Sequence, residues 1–152
     1  MDSPDRLKRQ GHRLLQVGVG VFLLALLIGL AIPAFAVPRL GLSAHLVGIL
    51  QGIFLMVMGL IWPRLQLSTT VSRVGVWLAV FGCFAPLVAN LLAGIWGAGN
   101  TMLPIAAGQA HGSSLQETMI AVGLRTGGAS LIALCIVVLW GLRRSAMGQA
   151  DR

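Results

Sequence analysis

One histidine stands inside an apolar run that otherwise carries little chemistry. His45 lies near the start of Leu42 to Trp62, and Gly48, Gly52 and Gly59 follow it at helical spacing on one face. A neutral imidazole can ligate a metal or haem iron. The small residues below it let a flat group or another helix backbone come close. Two readings stand side by side: His45 as a ligand, for which the glycine face favours haem, or as a polar interfacial residue bonded to the first loop. Gly48-x-x-x-Gly52 reads equally as a helix-packing pair, as does Gly123-x-x-x-Gly127.

Polar side chains at comparable depth extend this set. Gln51, Asn90 and Asn100 can orient a polar substrate group, and each taken alone also serves as glue between helices. Arg125 lies within the last apolar run, roughly 12 Å below Glu117 along a helix. An unpaired arginine at such depth costs about 2.5–3.5 kcal/mol, so it faces a cavity or a partner. It reads as a cation that binds a substrate or an anionic cofactor group, or as half of a structural pair with a loop carbonyl or a helix-end carboxylate, for which Glu117 is the nearby acid. His111, in a loop, is a second possible ligand or a solvated residue. Counted along their helices, these residues fall in one half of the bundle, which places the candidate cavity under the loop Trp96–Gln116.

Other chemistries are excluded by what is missing. There is no Ser-His-Asp set, no pair of carboxylates, no phosphate-binding glycine loop and no zinc spacing. Cys83 and Cys135 sit in separate apolar runs, too few for an iron–sulfur cluster or a structural zinc site. The net charge of +7 does not point to nucleic acid, because no basic patch with polar or aromatic readers beside it is visible.

The elements that must position these residues are membrane helices. The chain is 57% hydrophobic and 10% charged, against about 25% charged in a soluble domain. The expected fold is all-α: one integral membrane domain of four transmembrane helices, about 14–35, 43–62, 71–95 and 115–142. A basic segment 1–13 precedes them and a disordered tail 145–152 follows. Ser43 and Ser113 or Ser114 are candidate N-caps. Pro86 should bend the third helix. All lysines and arginines except Arg39 and Arg125 fall in segments on the same side of the membrane as the N-terminus, which predicts both termini in the cytoplasm. Trp62, Trp77 and Trp140 would belong to the inner aromatic belt and Trp96 to the outer. The loop Trp96–Gln116 is too apolar for open solvent and should fold over the end of the bundle as a lid or a re-entrant segment.

Several stretches together resemble the hydroxylaminobenzene mutases. They are R-L-x-R-Q-G-H-R-L-L-Q at Arg6–Gln16, V-P-R-L-G-L-S-x-H-L-x-G at Val37–Gly48, Q-G-I-F-L at Gln51–Leu55, G-L-x-W-P-R-L-x-L-S at Gly59–Ser68, N-L-L-A-G-x-W-G-A-G-N at Asn90–Asn100 and P-I-A-A-G-Q-A-H-G-S at Pro104–Ser113. The chain is also similar to the styrene oxide isomerases, small four-helix membrane proteins that use haem b and assemble as trimers. The resemblance implies an isomerase that rearranges an arylhydroxylamine to an aminophenol, within the degradation of aromatic compounds. It implies haem b on His45, with Gly48, Gly52 and Arg125 in the cofactor site, and Gln51, Asn90 and Asn100 orienting a small aromatic substrate. It further implies a homotrimer in the bacterial inner membrane. The isomerases carry a tyrosine where Asn90 stands, and this chain has no tyrosine, which weighs against epoxide isomerisation. Outside the enzymes, a proton-coupled transporter would want a carboxylate within a helix, and a haem electron carrier would need His111 opposite His45.

Overall fold

A computed structural model describes the chain over residues 4–150, with side chains over 5–144. The helices are α1 (Pro4–Leu30), α2 (Pro38–Ile61), α3 (Thr69–Trp96), the short α4 (Pro104–Ala107) and α5 (Ser114–Ala150). Helices α1, α2, α3 and α5 are each long and apolar enough to cross a membrane. The protein is an all-α membrane protein.

Helix ends follow local chemistry and shift several expected boundaries. α1 starts inside the basic segment, with Asp5 in its first turn, and stops at Leu30 ahead of a 3-10 turn that holds Pro33. α2 begins at Pro38, whose fixed φ suits a first helical position, after extended Val37. Ser43 is therefore a residue of the helix and not its cap. Ser68 caps α3 by accepting from the Val71 N–H, and Gly97 ends α3 at φ 63°, a conformation L side chains disfavour. Ser113 caps α5 reciprocally with Gln116: the Gln116 N–H donates to Ser113 Oγ and the Ser113 N–H to Gln116 Oε1. α5 continues to Ala150, so the segment expected as a disordered tail is helical that far, and residues 151–152 lie outside the described residues.

The membrane helices pack in chain order as a row. α1 lies on α2, α2 on α3, and α3 on α5, while among the described residues α5 forms no seam with α1 or α2. Lipid is as apolar as leucine, so close van der Waals contact, not burial of apolar surface, must hold such pairs. The α1–α2 seam achieves it with glycine. A Cβ on Gly59 would lie 2.6 Å from the Gly11 carbonyl oxygen, and one on Gly52 would lie 2.8 Å from the Phe22 nitrogen. α3 and α5 meet where Gly127 accepts the Pro86 ring and Gly123 faces Ala89. Both small-x-x-x-small pairs are thus helix-packing sites.

Two apolar clusters fill the row. The larger runs from Leu7 and Trp62 up to Ala44 and Leu87. Trp62 is fully buried with its ring under Gly75, and its Nε1 donates to Gln10 Oε1 at 3.1 Å. It is a core residue, contrary to the belt position expected for it, whereas Trp77 is 74% exposed. The smaller cluster joins Leu40, Ala89, Ala93 and Ile120 to Ala98 and Ala107 of the long loop. This contact folds the loop over the ends of α2, α3 and α5, as its apolar composition predicts.

Candidate active site

His45 lies two turns into α2, about 10 Å from its start. Its ring rests against Gly29 of α1, where a Cβ would come within 2.6 Å of Nδ1. Nδ1 is 2.7 Å from the Ala25 carbonyl oxygen. A carbonyl only accepts, so Nδ1 carries the proton and donates, and Nε2 is left with its lone pair. This outer contact fixes ring and tautomer in the manner of ligating histidines. The bond goes to α1, not to the first loop. The glycine face below has a different fate from the one expected. Gly48 meets Ala25 and Gly52 meets Phe22, so α1 occupies the approach imagined for a flat group. His45 fits as a ligand, but a group on Nε2 has no cradle at Gly48 and Gly52.

The amides divide. Asn90 is buried; its Oδ1 accepts from Ser43 Oγ at 2.8 Å and its Nδ2 donates to the Pro86 carbonyl at 2.9 Å. It ties α2 to α3 beside the proline and places Asn90 close to the depth of His45. Asn100 braces the loop: its Nδ2 donates to the Gly108 carbonyl and its N–H to Glu117. Gln51 differs from both. It is 8% exposed, and its Oε1 has no hydrogen-bond partner. A buried unpaired acceptor costs about 1–3 kcal/mol unless something fills it.

Glu117 is the residue the sequence reading undervalued. Its Oε1 accepts from the N–H groups of Gly99, Asn100 and Gly112, and its Oε2 from that of Thr101. One carboxylate thus gathers both ends of the long loop over α5. Sequence offered one signal, a lone acid beside a glycine-rich loop. Glu117 is engaged there and does not pair with Arg125. Arg125 is exposed on α5, and α5 stands beyond α3 from α2. One chain therefore does not assemble His45, Gln51, Asn90 and Arg125 around one cavity. His111 is exposed on the loop.

A half-buried, backbone-oriented imidazole, an open amide acceptor and a tied-down loop in a protein with four helices of membrane-spanning length narrow the field, and comparison decides it. The family model described as "Styrene oxide isomerase" matches residues 10–143. The chain belongs to the styrene oxide isomerase family. Two curated relatives from Ectopseudomonas oleovorans align over most of it. Hydroxylaminobenzene mutase HabB is 49% identical over 143 residues, 94% of this chain and 87% of the relative. Hydroxylaminobenzene mutase HabA is 35% identical over 127 residues, 84% of this chain and 94% of the relative. No solved structure matches. As a member of the styrene oxide isomerase family with these relatives, the chain is an enzyme of the isomerase class.

Proposed function

We propose that this protein is a membrane mutase that converts an arylhydroxylamine, such as hydroxylaminobenzene, to an aminophenol. The names of its relatives support the substrate, and the geometry of His45 carries the site. The reaction is an isomerisation. The N–O bond breaks, a C–O bond forms at the ortho ring carbon, and the displaced ring proton ends on nitrogen. Nothing is oxidised or reduced overall.

His45 would hold haem b through Nε2, and the iron would supply a Lewis acid for polarising the N–OH group. The Ala25 carbonyl keeps Nδ1 protonated and so holds Nε2 ready as the donor. Gln51 Oε1 is the acceptor for the substrate N–H or O–H, which removes its buried deficit. Asn90 and Asn100 position α2, α3 and the loop through the bonds they already make. The apolar outer cluster under that loop keeps water from a cationic ring, where it would divert the rearrangement. Three copies, both termini cytoplasmic in a bacterial inner membrane, complete the reading. A neighbouring copy would cover His45, and Arg125 would meet an anionic group, such as a haem propionate, at that junction.

The family's name favours a second substrate class, epoxides, and both belong in one assay. Purified wild type should show a haem absorption band and turn over hydroxylaminobenzene faster than styrene oxide. His45→Ala should lose the band and about 100-fold or more of the activity. Retention of both by His45→Ala sinks the proposal, and faster turnover of styrene oxide favours the epoxide reading.

A further inference from the structure

Arg6, Arg9, Gln10 and Arg13 recur at helical spacing and share one face of α1. That face meets Arg73 and Trp77 of α3 around a pocket of about 460 Å³. Gln10 is fixed in place by the Trp62 indole. Among the described residues no acidic side chain lines the pocket; Asp5 lies on α1 outside it. Leaving Arg6 aside, the three exposed guanidinium groups of Arg9, Arg13 and Arg73 thus converge from two helices that are not consecutive in the row.

A bias of positive charge toward one side of a membrane requires a count of Lys and Arg in the flanks, not their convergence on one cavity. Convergence of like charges is unfavourable until an anion enters. Arginine forks match phosphate oxygens two at a time. Basic pockets between membrane helices are suited to anionic headgroups. The level is right as well. The apolar run of α1 begins at Leu14, directly after Arg13, and the exposed Trp77 ring stands one turn from Arg73, where an amphipathic indole marks the interface. An occupant can therefore place phosphate among the arginines and its apolar part along lipid-facing Val74 and Trp77.

We propose that this pocket binds the phosphate of an anionic phospholipid headgroup. The site is separate from His45 and does not rest on the assigned reaction. The test is native mass spectrometry of the detergent-purified protein titrated with phosphatidylglycerol or phosphatidylcholine. Phosphatidylglycerol should bind more tightly. Arg13→Gln and Arg73→Gln, both at exposed side chains, should each weaken it about fivefold, and the double variant about 25-fold. Arg73→Lys, which keeps the charge and loses the fork, should fall between. Lys8→Gln removes the same charge from outside the pocket and should bind like wild type. Equal affinity for the two lipids, or an equal loss in Lys8→Gln, overturns the proposal. Inorganic phosphate that displaces the lipid and binds as tightly on its own would assign the arginines to a soluble anion and overturn the lipid assignment.

Discussion

At the scale of residues, the outcome turns on main-chain partners. Helical spacing made His45 and its glycine face visible, since period follows directly from residue order. The Ala25 carbonyl was not visible, because every residue carries one and nothing in sequence marks the one used. The same holds for Glu117, whose four donors are backbone N–H groups. A prediction follows from their number. Glu117→Gln replaces one of two acceptor oxygens with a donor and removes the charge. It should destabilise the protein by about 2–3 kcal/mol. Thermal unfolding in detergent measures that loss, and faster proteolytic cleavage within 97–113 should accompany it. An unchanged melting temperature and an uncut loop would show that the carboxylate does not hold the loop.

At the scale of elements, existence was legible and ends were not. Four apolar runs of spanning length leave no other fold in lipid, where every backbone group must be satisfied internally. Ends depend on competition at single residues. Pro38 starts α2 five residues before Ser43, and Pro33 stops α1 before Phe35. Seams are legible only as an ambiguity: a glycine stripe suits a flat cofactor or a helix, and the structure gives it to α1. Two substitutions on neighbouring elements separate packing from propensity. Gly52→Ala would push its methyl into the Phe22 backbone and should cost about 1–3 kcal/mol. Gly20→Ala meets nothing within 4 Å and should be neutral or stabilising by up to about 1 kcal/mol. Melting temperatures of the two variants decide it; equal shifts would contradict the glycine seam.

At the scale of the whole molecule, the row of helices accounts for the largest departure. Depth can be counted from sequence, at roughly 1.5 Å per residue, and depth brought Arg125 level with the histidine side of the bundle. Lateral order cannot be counted. α5 packs beyond α3, so Arg125 faces outward, and the other acids of the chain, Asp2, Asp5 and Asp151, lie near its ends. On the proposed reading a neighbouring copy completes the site. The active particle should then have three times the 16.0 kDa chain mass by detergent-corrected light scattering. Full activity in a monomeric particle would refute that assembly. The seating of His45 also bears on how the enzyme tolerates mutation. The atom that sets its tautomer belongs to the polypeptide itself, so it is lost only by parting the two helices, as a side chain larger than alanine at position 25 would do against Gly48. The proton on Nδ1 is inherited with a helix pair and not with any one codon. Genetic drift reaches it through bulk at Ala25 or at Gly29, whose missing methyl is the room the imidazole occupies.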